Sequence, residues 1–343
     1  MAELVLRAAT VDDVDAVCSL MRRTFPDNAK ADERILRWQY WENPFGPAVA
    51  WVWTEGPKVV GHFGCIRYAA YIGGVASTIG VAIDAAIDPE YQGRRLFGPL
   101  TSALFEDMAQ RGLPVAVSYP NDKSVGGLTR GGWQELGLLR THLLMLDAGW
   151  YAARVRVPRF VTSTVQRVLF RPPRAGRGDT AAEHVAPPSD VDSLWAGLAP
   201  GVVNGVIRDS TWFSWRYVSR PVVRYRFFSV RRADRLVGVA VTTEREQRGG
   251  AFTYLLEFLA ADADAARSLV QVVSSRCAGS VGLVLATLPG TSTSRLALEA
   301  GLRLVPSRFE EKALHMGVID NGGSHGAAIR RDWTLGWGDL DHL

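Results

Sequence analysis

The sequence has few cysteines, no long apolar run and no metal-binding pattern of histidines. Its three cysteines, Cys18, Cys65 and Cys277, lie among apolar residues, so we interpret them as core side chains in a reducing compartment. No window of 18 apolar residues occurs, and no basic segment followed by an apolar one opens the chain. We therefore expect a cytoplasmic protein that is not transmembrane. The six histidines show no metal-ligand spacing, so we expect no metal.

The length and composition predict an ordinary globular chain of two domains. The sequence has 343 residues, of which 47% are hydrophobic and 22% charged. Single hydrophobic cores rarely grow beyond about 250–300 residues, so a chain of this size is expected to divide.

The segment 82–100 is the most informative part of the chain. It reads as an apolar strand, then a turn rich in Gln, Gly and Arg, and then a helix to about Gln110. Such a turn points several backbone N–H groups at one place, and the helix N-terminus adds about half a positive charge there. The pattern predicts a site for a phosphate or pyrophosphate. Gly93 permits close backbone approach, and Arg94 and Arg95 supply charge.

The run Tyr91-Gln92-Gly93-Arg94-Arg95-Leu96-Phe97 resembles the acyl-CoA signature of the GNAT acetyltransferase superfamily, Gln/Arg-x-x-Gly-x-Gly/Ala. Arg95 stands where the family usually has Gly, and Phe97 where it usually has Gly or Ala. The order of predicted strands and helices from residue 3 to residue 147 is also similar to the GNAT order. The resemblance implies an α/β fold in which a twisted, mixed and mostly antiparallel sheet is flanked by helices.

The resemblance also implies how an N-terminal domain, residues 1–150, binds acyl-CoA. The strand before the turn and the strand after it part, and their backbones hold the pantetheine arm. The implied contacts are Ala85, Ala86 and Ile87 for the pantetheine and the thioester carbonyl; Gln92, Gly93, Arg94, Arg95, Leu96, Phe97 and Gly98 for the pyrophosphate; and Asn121 and Ser124 for the lower arm.

The second half of the sequence repeats the first. Three triplets return 177 residues later: Asp13-Val14-Asp15 as Asp190-Val191-Asp192, Trp38-Gln39-Tyr40 as Trp215-Arg216-Tyr217, and Val59-Val60-Gly61 as Leu236-Val237-Gly238. After Asp262 no Gln-Gly-Arg turn follows, and Asp264 adds a negative charge where a pyrophosphate would lie. We interpret residues 183–343 as a degenerate GNAT-like copy that binds no CoA. By analogy with tandem members it shapes the acceptor pocket; the alternative is a purely structural domain.

Acyl transfer to an amine needs a base for the ammonium proton, donors for the developing oxyanion and an acid for the thiolate. Asp84 is the one acid in an apolar strand, and burial would raise its pKa toward that of a useful base. His62 is the rival base. The tyrosine that many family members use as the acid is replaced by Leu128, so Tyr119 is the substitute candidate. Each of these three could instead be a packing residue.

The resemblance implies an N-acyltransferase that moves an acyl group, acetyl or longer, from acyl-CoA to an amine in a ternary complex. The Trp-x-Tyr elements and the C-terminal tail resemble those of tandem enzymes that acylate amino sugars or natural-product intermediates. In the tail, Trp333 and Trp337 could stack on a sugar while Asp339 and Asp341 receive an ammonium, or the aromatics pin the tail to the core. The alternatives are a catalytically inactive acyl-CoA-binding scaffold and a protein or peptide N-acetyltransferase.

Between the domains, residues 151–182 are predicted to form a connector with one short helix, from about Phe160 to Phe170. The stretch from Arg154 to Arg177 contains seven arginines and no acid. It reads either as a solvated linker or as a dock for an acidic group: CoA phosphates, an acyl carrier protein, a membrane surface or an anionic sugar nucleotide. Interleaved aromatics and known reader motifs are missing, so we expect no nucleic-acid partner.

Overall fold

The computed structural model describes residues 3–26, 31–170, 173–277, 279–307, 310, 314–321, 323, 325–326, 328–330, 332–334 and 336–340. It divides into two compact units. The first unit comprises Met1–Leu138, Ser219–Val223 and Lys312–Arg331, and the second comprises Leu139–Val218, Arg224–Glu311 and Asp332–Leu343. The bounds 1–150, 151–182 and 183–343 remain sequence-based predictions, because these units are defined by contacts and each joins separate segments.

The strands and helices of the two units run between the following residues. The strands are β1 Leu4–Ala8, β2 Val49–Glu55, β3 Lys58–Ile72, β4 Val75–Ile87, β5 Val115–Ser118, β6 Gln134–Met145, β7 Asp179–His184, β8 Asn204–Val206, β9 Arg226–Arg232, β10 Arg235–Gln247, β11 Gly250–Ala260, β12 Gly282–Thr287, β13 Arg303–Leu304, β14 Leu314–Asp320 and β15 Trp333–Thr334. The helices are α1 Val14–Thr24, α2 Glu33–Tyr40, α3 Phe97–Gln110, α4 Asp122–Arg130, α5 Ala148–Val155, α6 Arg159–Leu169, α7 Val191–Leu198, α8 Ser210–Phe213, α9 Ala263–Arg276 and α10 Ser292–Glu299.

The first unit has a mixed sheet with the strand order β1-β2-β3-β4-β5-β14. Its pairs are antiparallel except β4 with β5, which is parallel. On one face, Leu100, Leu104 and Met108 of α3 pack against Phe63 and Cys65 of β3. These contacts place the start of α3, and the turn before it, at the end of β4.

The second unit also has a mixed sheet, with the order β7-β9-β10-β11-β12-β6. Here β11 and β12 form the parallel pair. Apolar residues of α9, among them Leu269 and Val273, pack against Phe228 and Val230 of β9. A mixed sheet flanked by helices in each unit confirms the predicted fold class.

Four elements of the second unit begin 177 residues after an element of the first. The pairs of starting residues are Val14 and Val191, Glu33 and Ser210, Val49 and Arg226, and Lys58 and Arg235. This spacing equals that of the repeated triplets. The turn between the fourth strand and the next helix is not repeated: residues 88–96 separate β4 from α3, whereas only residues 261 and 262 separate β11 from α9.

The arginine-rich segment contains two helices, where the sequence predicted one. The predicted helix corresponds to α6, and α5 was missed. The carboxylate of Asp147 accepts hydrogen bonds from the backbone N–H groups of Gly149 and Trp150, which caps α5. Arg156, with φ of 54°, ends it. A side-chain cap of this kind satisfies helix donors that would otherwise need water.

Candidate active site

The pairing of β4 with β5 ends before β4 does. It runs from Gly80 with Ala116 to Ala82 with Ser118, while β4 continues to Ile87. The predicted amide donors Ala85, Ala86 and Ile87 therefore all lie beyond the last paired residue. An extended molecule placed in this opening would meet the β5-facing backbone groups of β4, as an added strand does.

A β-bulge at Asp84 lies in the same stretch of β4. The register with β3 shifts between the pairs His62–Ala86 and Gly64–Ile83. Asp84 has φ of 56°, a left-handed conformation that Asp tolerates better than most residues. A bulge re-aims side chains and breaks the regular pairing. The backbone around Asp84 is therefore set apart from the ladder where β4 and β5 separate.

Two side chains hold the bulge. The hydroxyl of Tyr40 donates a hydrogen bond of 3.1 Å to Asp84 Oδ2. Nδ1 of His62 lies 2.9 Å from the backbone carbonyl oxygen of Asp84. Since a carbonyl oxygen only accepts, Nδ1 must carry the proton. His62 is 1% exposed, and burial lowers the pKa of its imidazole although the hydrogen bond to Asp84 opposes this. His62 therefore remains neutral beneath the bulge.

Gly64 makes room for Tyr40. A Cβ atom on Gly64 would lie 2.2 Å from the Tyr40 hydroxyl oxygen. Sequence reasoning noted the Trp-x-Tyr repeat but did not place Tyr40 at the site. The signal that was present is the repetition itself, which marks a tyrosine needed at the same place in both units.

The turn from Gln92 to Arg95 is exposed. Gly93 has φ of 82° and Arg95 has φ of 58°, so Arg95 adopts the left-handed backbone that a glycine adopts easily. The departure from the family motif thus keeps a glycine-like backbone and adds a guanidinium. No acid occurs in the first turn of α3, which leaves the N-terminal N–H groups suited to an anion.

Neighbouring side chains hold the turn from beneath. Trp53 Nε1 donates to the carbonyl oxygen of Leu96 at 3.0 Å. Asp88, 1% exposed, accepts from Arg23 Nε at 2.9 Å and from the backbone N–H of Glu90. Burial raises the pKa of Asp88, but the Glu90 amide and the cations Lys58 and Arg23 outweigh it and lower the pKa. The carboxylate of Asp88 therefore stays charged, and its contacts hold the start of the turn in place.

Phe97 fills the space between the first turn of α3 and α4. Its ring lies 5.9 Å from that of Phe63, and a Cβ on Gly127 would be 2.5 Å from it. A phenylalanine at this position of the motif is thus matched by a glycine in α4. Leu96 is buried, while Gly98 is exposed.

Asn121 and Ser124 form the N-cap of α4. Asn121 Oδ1 accepts from the backbone N–H groups of Lys123 and Ser124, at 3.1 and 3.3 Å, and from the Ser124 hydroxyl. Tyr119 follows directly after β5 and is 8% exposed. All three lie on the β5 side of the opening. Their roles toward a cofactor remain predictions.

The carboxylate of Asp84 and the turn before α3 approach the opening from opposite faces of the sheet. Asp84 reaches toward Tyr40 on α2, whereas Ala85 packs with the cluster of α3 on the other face. This arrangement can bring a phosphate-bearing molecule from one side and a second reactant from the other.

The second unit contains a counterpart of the Tyr40–Asp84 pair. Tyr217, 177 residues after Tyr40, donates to Glu257 Oε1 at 2.7 Å, and the β10–β11 register shifts beside Glu257. Trp212 Nε1 and Arg208 Nε also donate to this carboxylate, at 2.8 and 2.7 Å. Burial and the charge of Glu257 raise the pKa of Tyr217. Glu257 is 1% exposed, so this pair is part of a buried cluster.

The C-terminal tail completes this cluster. Asp339 Oδ2 accepts from Arg208 Nη2 at 2.6 Å, and burial raises the pKa of Asp339 to about 6 although Arg208 opposes this. Arg216 donates to the carbonyl oxygens of Gly338 and Leu340. A Cβ on Gly338 would lie 2.1 Å from the Tyr217 hydroxyl, so only glycine fits there.

The tail lies at the opening between β11 and β12. Their parallel pairing ends at Tyr254 with Val284 although β11 continues to Ala260, and the turn Trp337–Asp339 contacts both strands. Trp333 is buried, and Trp337 packs 5.6 Å from the Tyr254 ring. Of the two interpretations of the tail, the burial of Trp333 and Asp339 favours the one in which the tail is pinned to the core; Asp341 lies outside the described residues.

Residues 5–136 match the family model described as an acetyltransferase (GNAT) domain. The chain contains a GNAT acetyltransferase domain. The matching region includes β1 to β5, the bulge at Asp84 and the turn before α3. The protein is therefore an acyltransferase. A GNAT domain uses acyl-CoA as its co-substrate, and the exposed, basic, acid-free turn at the start of α3 fits the phosphates of that molecule. No curated protein matches the sequence significantly.

Solved structures share the fold over most of the chain. The GCN5-related N-acetyltransferase from Anabaena variabilis superimposes with a TM-score of 0.69 at 12% identity, over 94% of this chain and 74% of that one. A probable N-acyltransferase of unknown function from Enterococcus faecalis gives 0.64 at 12%, over 93% and 73%. A GCN5-related N-acetyltransferase from Kribbella flavida gives 0.59 at 16%, over 92% and 70%. At these identities the likeness concerns the fold alone.

No three His, Cys, Asp or Glu side chains within the described part of the chain come together as a metal site would require. None of the helices in that part is long and apolar enough to span a membrane.

Proposed function

We propose that the GNAT domain transfers an acyl group, acetyl or longer, from acyl-CoA to the amine of a small molecule within a ternary complex. The observation that carries this proposal is the position of Asp84. Its carboxylate and its bulged backbone lie where the β4–β5 pairing has ended, a short distance along β4 from the basic turn. Donor and acceptor can therefore meet at one place.

The donor's diphosphate would be held by the turn Gln92–Arg95 and by the first N–H groups of α3, with Arg94 and Arg95 supplying charge. Its pantetheine arm would extend along Ala85 to Ile87. Backbone N–H groups of the bulged stretch would donate to the thioester carbonyl oxygen, where negative charge develops during attack. Asn121 and Ser124 would contact the arm from the β5 side.

Asp84 would accept the proton of the acceptor ammonium, so that the neutral nitrogen can attack the carbonyl carbon. Tyr40 would orient this carboxylate through its hydrogen bond. As the C–S bond breaks, Tyr119 would donate its proton to the departing thiolate, and the second proton lost by the attacking nitrogen would return to the tyrosine through solvent. His62 would act as a positioning residue, because its buried neutral ring is already committed to the Asp84 carbonyl.

We further propose that the second unit is a degenerate copy of the GNAT fold and binds no acyl-CoA. Three observations support this: the shared 177-residue spacing of four elements, the loss of the turn between β11 and α9, and the tail at the β11–β12 opening. Asp262, which caps α9, is paired with Arg232 at 2.8 Å. The chain would then bind one acyl-CoA.

For the acceptor we propose an amino sugar or natural-product amine encountered in the cytoplasm. This choice rests on the resemblance of the Trp-x-Tyr elements to those of tandem enzymes. An inactive acyl-CoA-binding protein and a protein or peptide N-acetyltransferase are the alternatives, and they differ in turnover and in acceptor.

Thermal melting of the purified protein with CoA, acetyl-CoA and longer acyl-CoAs tests donor binding. A ligand at 100 times its dissociation constant stabilises a fold by about 2.7 kcal/mol, and the acyl length with the largest shift identifies the donor. Calorimetry should give one site per chain. Release of free thiol with a panel of amino sugars and peptides then decides the acceptor. Binding without turnover on any amine would favour the inactive protein, and turnover on peptides alone the peptide acetyltransferase.

A further inference from the structure

The helices α5 and α6 of the second unit form an exposed surface that is both apolar and basic. We call it the hairpin surface and define it by its exposed residues: Arg154, Val155, Arg156, Arg159, Phe160, Arg167 and Val168. The opposite side of the hairpin is packed. Thr162 of α6 is buried and donates to the carbonyl oxygen of Ala148 at 2.7 Å, and Gln166 donates to that of Leu146.

Large apolar side chains project from this surface. Phe160 is 72% exposed, Val168 70% and Val155 55%. Phe160, Thr164 and Val168 are spaced four residues apart, so they form one stripe along α6. At these exposures the side chains protrude and do not line a groove. A rigid protein partner would need a cavity for each, whereas a lipid interface accepts protruding apolar groups without one.

The charge of the hairpin surface has one sign. Residues 148–178 contain no Asp or Glu. The acids nearest in sequence lie outside this segment: Asp147, which is exposed, caps α5, and Asp179 is paired with Arg232 at 2.7 Å, its side chain fully covered. Arg154 lies over the Trp150 ring at 5.0 Å, which fixes one cation at the edge of the surface. Arginines beside protruding apolar residues are complementary to anionic lipid headgroups over acyl chains.

We propose that the hairpin surface docks the protein on an anionic lipid membrane, with Phe160 and Val168 entering the headgroup boundary and the arginines contacting lipid phosphates. The docking is peripheral. It is independent of the acyl transfer proposed above and uses none of the residues of the GNAT site. Of the acidic partners that the arginine-rich sequence permits, this proposal selects the membrane surface.

Co-sedimentation with vesicles tests the proposal. The full chain should bind vesicles of equal parts phosphatidylglycerol and phosphatidylcholine at least ten times more tightly than pure phosphatidylcholine, and 0.5 M salt should weaken binding. A variant with Arg156, Arg159 and Arg167 changed to Gln should bind the mixed vesicles at least ten-fold more weakly. Phe160→Ser with Val168→Ser should lose a similar factor at unchanged net charge.

Matched controls come from the same unit. Arg235, Arg295 and Arg303 are exposed elsewhere, and their change to Gln removes the same charge; Val185, 98% exposed, is changed to Ser. These variants should bind the mixed vesicles as the parent does, and circular dichroism should show that all variants are folded. Equal loss in control and test variants, full binding by the Phe160→Ser and Val168→Ser variant, or binding of an acyl carrier protein but no vesicle would overturn the proposal.

Discussion

The hydroxyl of Tyr40 lies 3.1 Å from Asp84 Oδ2 and donates a hydrogen bond to it. The second unit repeats this relationship, with Tyr217 donating to Glu257 at 2.7 Å. In both units a tyrosine of a Trp-x-Tyr element contacts an acid of the strand that precedes the opening. Only Asp84 remains half-buried and near a basic turn; Glu257 is enclosed by the tail. The same pair thus belongs to a candidate site in one unit and to a core in the other.

Changing Asp84 to Asn should lower kcat for acyl transfer by about 10²- to 10⁴-fold, because an amide cannot accept the ammonium proton. Donor binding should survive, since the turn before α3 is untouched. Turnover at several pH values and the acetyl-CoA-induced shift in Tm measure the two effects. Asp12→Asn, an exposed acid in the same unit, is the control. Turnover within two-fold of the parent would remove Asp84 as the base.

Two substitutions of His62 separate a positioning role from a base role. Asn can still donate a hydrogen bond to the Asp84 carbonyl, whereas Phe leaves that oxygen unpaired, at a cost of about 1–3 kcal/mol. We expect His62→Asn to retain most of the activity and to leave the pH profile unchanged, and His62→Phe to lose stability and activity together. If His62 were the base, both variants would lose turnover equally.

At position 95 the backbone and the charge can be tested separately. Left-handed φ costs a residue with a side chain about 1–2 kcal/mol, partly offset by the extra entropy that glycine loses on folding. Arg95→Gly should therefore be about 0.5–1 kcal/mol more stable than Arg95→Ala in urea unfolding. Both lack the guanidinium and should bind acetyl-CoA equally weakly. An Ala variant as stable as the Gly variant would contradict the backbone assignment.

We expect His315 to make a pH-dependent contribution to the free energy of unfolding. Burial alone lowers the pKa of His315, but its hydrogen bonds to Asp122 Oδ1 and Glu135 Oε1, at 2.8 and 2.6 Å, outweigh burial and raise the pKa. When the pKa of a histidine is higher in the folded state than in the unfolded state, its protonation stabilises the fold. This stabilisation is fully present below the unfolded-state pKa, near 6.5, and is lost as the pH rises through the folded-state pKa.

His315→Gln should accordingly cost about 0.5–1 kcal/mol more at pH 5.5 than at pH 9, a modest figure because Asp122 is exposed. Urea unfolding at the two values measures the difference. Asp122→Asn removes one partner and should reduce the pH dependence of the parent. A cost that is the same at both pH values would show that His315 packs without titrating.

Arg208 compensates two buried carboxylates in the second unit. Arg208→Met leaves Glu257 and Asp339 without their cation, and breaking a buried pair in this way costs about 3–5 kcal/mol. Arg295→Met, on an exposed position, should change the free energy of unfolding by no more than about 0.5 kcal/mol. Adding Glu257→Gln and Asp339→Asn to Arg208→Met should restore part of the loss. A loss as small as that of the control would contradict the cluster.

Local signals in the sequence were sufficient for several elements and for the exposed turn before α3. Val14, Val17, Cys18 and Met21 recur at helical spacing in the sequence, and all four are buried in α1. Gly93 and the following arginines predicted the turn before α3, which ends at the predicted Gln110. The repeated triplets predicted the 177-residue spacing that the elements show. These features depend on neighbours in the chain, whose periodicity and turn chemistry can be read directly.

Only the tertiary structure decided what the isolated polar residues do. The contacts of Asp84 with Tyr40 and His62 bridge 44 and 22 residues of sequence, and the bulge that permits them leaves no mark in strand periodicity. Asp339 belongs to an aromatic and acidic tail whose composition suits substrate binding. In the structure it is buried against Arg208, which lies 131 residues away in the sequence. The sequence by itself determined the spacing of the repeated elements and the basic turn before α3, because these follow from local patterns. Burial and long-range pairing, which set the surroundings of each acid and histidine, arise only when distant segments pack together.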